Sequence, residues 1–199
     1  MGAIAKIPVR VTVAEFLVWD AGDGRLWQLV DGEPQAMAPA SRTHGALQNE
    51  LGRLIANHLA ERSSFCSVLA NPGVVPRVQA EHNVRIPDLA VICSEYEAEV
   101  PVIADPILIV EILSPSNEAE TWANVWAYTT IPSVREIVVL RTVSIGADLL
   151  CRRPDGSWPR TPEAIEARDL VLESIGFQAP LTAPYRTTRL ARQPGSPDC

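Results

Sequence analysis

The run Ile107-Leu108-Ile109-Val110-Glu111-Ile112-Leu113 decides the fold when it is set beside Arg85-Ile86-Pro87-Asp88-Leu89-Ala90-Val91-Ile92. Both stretches are short, aliphatic and rich in β-branched residues, as buried strands are, and each carries one carboxylate. A carboxylate removed from water costs several kcal/mol unless it is paired, protonated or bound to a cation. Two acids at positions where Val or Ile would be cheaper therefore need a cause, and a hard divalent ion is the simplest. Carboxylate oxygens suit Mg2+ or Mn2+, and an ion held by only one or two protein carboxylates keeps waters that can attack a phosphate. The alternative is a paired acid, or one at the edge of the sheet.

Upstream, residues 12 to 20 form a short helical pattern with Thr12 as N-cap and Phe16 and Leu17 turned inward. Leu26–Val30 and Pro34–Met37 flank Asp31-Gly32, a strong hairpin turn signal. Between Ser41 and Ser63, the residues Leu47, Leu51, Leu54, Ile55 and Leu59 fall on one helical face. His44 lies in the first turn of that helix and Glu50 borders its apolar stripe, so both are candidates for a site at the sheet edge; a solvent-facing histidine and a surface acid are the alternatives.

Strands are expected at Val74–Val78, Asp88–Cys93, Ile107–Leu113 and Glu136–Arg141, with a hairpin from Ile145 to Trp158 turning at Asp155-Gly156. A helix after Ser116 or Asn117 would present Trp122, Val125, Trp126 and Thr129 on one face and stop at Ile131-Pro132, its tryptophans being core residues. Helix, hairpin, helix, strands, helix, strands implies an α+β or three-layer α/β domain with a mixed central β-sheet flanked by helices. The acidic loop between the two acid-bearing strands, with Glu95, Glu97 and Glu99, reads as a solvated edge.

A chain of 199 residues with 47% hydrophobic content supports one domain, expected over 1–185, with a Pro-, Arg- and Ser-rich tail over 186–199 expected to be disordered. No stretch reaches the roughly 20 apolar residues of a membrane span and no signal-peptide core is apparent, so a cytoplasmic protein without membrane contact is expected. Cys66, Cys93, Cys151 and Cys199 form no Cys-x-x-Cys pair and are expected to be reduced thiols, Cys93 in the core. Neither His58 nor His82 stands at zinc-site spacing from His44. A net charge of −7 argues against coating nucleic acid by bulk electrostatics, so any DNA contact is local. Basic charge is almost wholly arginine, Lys6 being the only lysine.

Five pieces of the chain resemble, in order, the Uma-two family. They are Trp27-Gln28-Leu29-Val30-Asp31-Gly32-Glu33; Met37-Ala38-Pro39 followed by His44; Arg85-Ile86-Pro87-Asp88-Leu89; Val110-Glu111-Ile112-Leu113-Ser114-Pro115-Ser116; and Tyr128 followed by Ile131-Pro132-Ser133-Val134-Arg135-Glu136. That family is grouped with the PD-(D/E)XK nucleases, and the resemblance spans about residues 12 to 186. It implies a restriction-endonuclease-like core, DNA as substrate, and Asp88 and Glu111 as Mg2+ ligands. In the wider superfamily a lysine follows the second acid by two residues; here that position is Leu113. In many relatives a lysine instead lies four residues before the tyrosine matching Tyr128, and that position is Asn124. Such a lysine would orient water and stabilise transition-state charge. Asn124 can hydrogen-bond a water but brings no charge.

Three functions compete at this level: a metal-dependent endonuclease hydrolysing phosphodiester bonds, a nuclease-fold protein that has lost catalysis and serves as a binding or regulatory module, and a two-carboxylate glycosidase. A homodimer suits a nuclease that cuts two strands, although no patch can be assigned to it.

Overall fold

The computed structural model describes residues 10–95 and 100–191. The leading helix α1 (Val13–Leu17) is closed by a capping box, in which the Thr12 hydroxyl accepts from the Glu15 N–H and the Glu15 carboxylate accepts from the Thr12 N–H. Phe16 is buried, but Leu17, expected to turn inward, is 39% exposed, because five residues are too few to present a continuous face. Strands β1 (Trp27–Val30) and β2 (Glu33–Ala36) make the expected antiparallel hairpin. Its turn residues Asp31 and Gly32 both have positive φ, and a Cβ at Gly32 would lie 2.6 Å from the Arg10 Cβ, so glycine is required there twice over.

Helix α2 (Arg42–Glu61) opens at Ser41, whose hydroxyl accepts from the His44 N–H, and buries Leu47, Leu51, Ile55 and Leu59. The chain continues through β3 (Ser67–Ala70), β4 (Gly73–Val74), β5 (Leu89–Ile92), β6 (Val102–Ile103), β7 (Pro106–Leu113), helix α3 (Glu118–Tyr128), β8 (Glu136–Arg141), β9 (Ala147–Cys151), β10 (Glu163–Ile165), β11 (Asp169–Leu172) and β12 (Phe177–Pro180). The central sheet has six strands in the order β10-β9-β8-β7-β5-β3, and β1-β2, β4-β6 and β11-β12 pair separately. Only β7 and β8 are parallel within the central sheet, and α3 is the crossover such a pair needs. The fold is thus the mixed α+β arrangement expected.

Both faces of β7 are covered. Leu108, Val110 and Ile112 join the cluster that includes Leu47, Leu51 and Ile55 of α2, while Ile109 joins Val125 and Tyr128 of α3. That two-sided burial is why this strand reads as an unbroken apolar run.

Several expectations need correction. The strand expected over Val74–Val78 ends at Val74, since Pro76 cannot donate to a ladder. The turn at Asp155-Gly156 forms, with the Arg153 N–H donating to the Ser157 carbonyl, but β9 pairs instead with β10 beyond the Pro159 and Pro162 interruptions. On α3 the buried face is Thr121, Asn124, Val125, Ala127 and Tyr128, and Trp126 is 40% exposed. The thiol expectation fails at one pair: the β3–β5 register opposes Ser67 to Ile92, one further step brings Cys66 opposite Cys93, and the two are joined by a disulfide. Strand β3 was not foreseen, so neither was the pairing. Order also extends beyond residue 185, because Thr188 is buried and Arg186 forms an ion pair with Glu50; residues 192–199, with Cys199, lie outside the described residues. Lys6, Glu97 and Glu99 also lie outside them. Among the described residues no helix is long and apolar enough to cross a membrane.

Candidate functional site

Strand register brings the two acids together. The antiparallel ladder of β5 and β7 opposes Leu89 to Val110, so Asp88 and Glu111 are the next opposed positions. Asp88 stands just before β5, and its carboxylate takes over the pairing there: Oδ2 accepts from the Ile112 N–H at 2.7 Å. Its Oδ1 lies 2.7 Å from His44 Nε2, reached from the first turn of α2. One turn further along α2, the Gln48 amide donates to the Asp88 carbonyl at 2.8 Å and to Asn71 Oδ1 at 2.9 Å. Asp88 is therefore held through its main chain and both side-chain oxygens.

Glu111 is held from the opposite layer. The Tyr128 hydroxyl of α3 donates to Glu111 Oε1 at 2.7 Å. Burial first, and then the adjacent Asp88 charge, push the Glu111 carboxyl well above the ordinary carboxylate range, against the opposing pull of the Tyr128 bond. Burial and Glu111 together raise the Tyr128 phenol, which keeps it a proton donor. The site is a seam between layers, where α2 positions one acid and α3 the other. Replacing Tyr128 by Phe should leave a buried Glu111 oxygen without its donor and cost about 1 kcal/mol or more. Urea unfolding of metal-free protein measures this, and an unchanged midpoint would mean that the bond does not support the acid.

One turn before Tyr128, Asn124 is buried, with Oδ1 accepting from Arg85 Nη1 at 2.9 Å and Nδ2 donating to Gln28 Oε1 at 3.4 Å. Gln28 in turn donates to Glu120 Oε1 at 2.6 Å. Asp88, Glu111 and His44 are thus brought together, while Asn124 belongs to an adjoining polar network with Arg85, Gln28 and Glu120; sequence reasoning did not assign Arg85, Gln28, Gln48 or Glu120 to the site. The signal for Arg85 and Gln28 was a polar side chain in an apolar strand pattern.

Glu50 does not join them. Six residues beyond His44 it points about 240° around α2, where Arg53 and Arg186 bind its carboxylate. Those bonds hold its pKa down at about 2, the Arg53 bond first and the Arg186 bond second.

The donor set of the seam is hard: two carboxylates, one of them driven toward its neutral form by burial and by the other. Among the described residues no group of three or more His, Cys, Asp and Glu is placed to hold a metal. Two oxygen donors fit Mg2+ or Mn2+ with retained waters better than a full protein cage for Ca2+ or Zn2+. A cleft of about 480 Å3 lies at the far end of β5, lined by Cys93, Arg135, Arg152 and Arg153 among others, and it contains neither acid. The chemistry follows the paired carboxylates.

Comparison with known proteins agrees with this architecture. An uncharacterized protein of Synechocystis sp. (strain PCC 6803) is 27% identical over 179 residues, covering 89% of this chain and 92% of the relative. The crystal structure of a protein from Anabaena variabilis, described as a putative nuclease belonging to DUF820, superposes with a TM-score of 0.71 at 13% identity, over 88% of this chain and 97% of that one. The model of the Uma2 family, described as "Putative restriction endonuclease", matches residues 13–182, and the chain belongs to that family.

Proposed function

We propose that this protein is a Mg2+- or Mn2+-dependent endonuclease that hydrolyses phosphodiester bonds of DNA. The observation that carries the reading is the opposed pair of buried carboxylates, each with a dedicated positioning partner, in a chain of a nuclease family. Asp88 and Glu111 would hold the ion. Bound there, it supplies Lewis acidity toward the phosphate and lowers the pKa of a coordinated water. His44 keeps Asp88 Oδ1 in place, and Tyr128 does the same for Glu111 Oε1, so the ion binds to a preformed pair. The overall charge of −7 remains compatible with DNA when the contact is confined to this seam.

Calorimetric titration with Mn2+ and a plasmid-nicking assay test the reading together. Wild type should bind one ion and nick DNA only with metal present, whereas Asp88→Asn should fold, bind Mn2+ at least tenfold more weakly and leave plasmid intact. Equal Mn2+ binding by both would make the acids structural. Metal binding without cleavage of double-stranded DNA, single-stranded DNA or RNA would favour a nuclease-fold binding module.

A further inference from the structure

We propose that Arg85 is the phosphate-binding cation of this site, with Asn124 holding its guanidinium on the helix whose Tyr128 holds Glu111. This deepens the endonuclease reading and rests on it. Arg85 is only 7% exposed, yet its partners are two neutral amides: Nη1 donates to Asn124 Oδ1 at 2.9 Å and Nη2 to Asn83 Oδ1 at 3.0 Å. Its Nε is buried without any partner, and no carboxylate lies within ion-pair distance of it among the described residues. A buried arginine that served stability alone would be expected to have a carboxylate partner and all its donors satisfied. Leaving donors open is intelligible if an anionic ligand completes the set.

Position and charge identify that ligand. Arg85 lies three residues before Asp88, and its anchor Asn124 lies one turn before Tyr128, which holds Glu111. Once a divalent ion is bound and Glu111 is ionised, Asp88, Glu111 and Glu120 together still outweigh the charge of the ion, and a phosphodiester brings a further negative charge. A second cation is needed for the substrate to enter. The guanidinium fork matches two phosphate oxygens, and since Nε is buried, a phosphate takes the Nη hydrogens that Asn124 and Asn83 leave free. On this view Asn124 is not a weak stand-in for lysine; it is the acceptor that aims Arg85. A lysine at 124 would set an ammonium against the buried guanidinium, so Asn124→Lys alone should weaken the site.

Inorganic phosphate, titrated into Mn2+-loaded protein, reads Arg85 without requiring turnover. Arg85→Gln should lower phosphate affinity at least tenfold, and Arg85→Lys, which keeps the charge and loses the fork, by less. Mn2+ affinity should stay within threefold in both. Arg85→Met combined with Asn124→Leu limits misfolding, because the donor and acceptor of the Arg85–Asn124 contact are removed together and Asn83 Oδ1 keeps the Asp31 N–H; it should bind phosphate as poorly as Arg85→Gln. Arg85→Met with Asn124→Lys should recover part of the binding by moving the charge across the same contact. Wild-type phosphate affinity in either charge-free variant overturns the proposal, as does wild type that binds Mn2+ but no phosphate. If phosphate binding depends on Arg85 while no nucleic acid is cut, the phosphate site stands and the endonuclease reading fails. If DNA is cut equally well with and without Arg85, the endonuclease reading stands and this proposal fails.

Discussion

Glu111→Gln should be more heat-stable than wild type without metal and less heat-stable with it. The folded-state pKa of Glu111 is raised above its ordinary value of 4.5 by burial and by Asp88. Above pH 4.5 the unfolded chain therefore gives up a proton that the folded chain keeps, and stability falls as pH rises toward the folded value. Each pH unit in that window costs about 1.4 kcal/mol. Glutamine removes the penalty, still accepts from Tyr128, and can donate its amide toward Asp88. At pH 8 without metal the variant should melt higher by about 2 °C or more, since 1 kcal/mol corresponds to about 2–4 °C in a domain of this size. Mn2+ reverses the order. Binding requires the ionised carboxylate and releases its proton, and at 100 times Kd it adds about 2.7 kcal/mol to wild type alone. Affinity for Mn2+ should fall at least a hundredfold in the variant. Thermal melts at pH 5 and pH 8, with and without Mn2+, check both halves. A metal-free variant that melts below wild type at pH 8 would mean that Glu111 is a stabilising partner in its own right.

What the sequence made legible follows the range of the interactions involved. The hairpin at Asp31-Gly32 and the N-cap at Thr12 are local, and α2 announces itself by the spacing of Leu47, Leu51, Ile55 and Leu59. The two acid-bearing strands stood out because a carboxylate inside an apolar run is costly wherever the strand is packed. Short edge elements carried no such signal: β3, β6, β10, β11 and β12 are two to four residues long and exist through their partners. The Cys66–Cys93 bond depended on one of them. Within the site, His44 was visible from its place in the first turn of α2. Arg85 stayed hidden because its acceptor Asn124 is brought to it by a packed helix, which no spacing along the chain encodes, while Asn83, two residues away, is a neutral amide that marks no charge pair. Glu50 misled for the related reason that its partner Arg186 lies 136 residues away, in a segment that composition marked as disordered.

Glu50→Gln should damage the fold in a pH-dependent way and leave the metal site intact. The carboxyl has an ordinary value of 4.5 and is held at about 2 by Arg53 and Arg186. A depressed folded pKa contributes stability above the unfolded value, and that contribution is lost as pH falls from 4.5 toward 2. Glu50 itself is buried, but both guanidiniums reach solvent, so screening reduces the gain to roughly 2 kcal/mol. Unfolding free energies from urea titration should therefore differ by that amount at pH 7 and draw together as pH falls from 4.5 toward 2, where the wild-type advantage titrates away. The segment around Arg186 loses its anchor on α2, so limited proteolysis at neutral pH should cut the variant there first. Mn2+ affinity should stay within about twofold of wild type, because Glu50 lies on a different face of α2 from His44 and makes no contact with Asp88 or Glu111. A tenfold loss of Mn2+ affinity would return Glu50 to the metal centre. A difference that persisted unchanged to pH 3 would assign its effect to packing, since glutamine fills nearly the same volume and lacks only the charge.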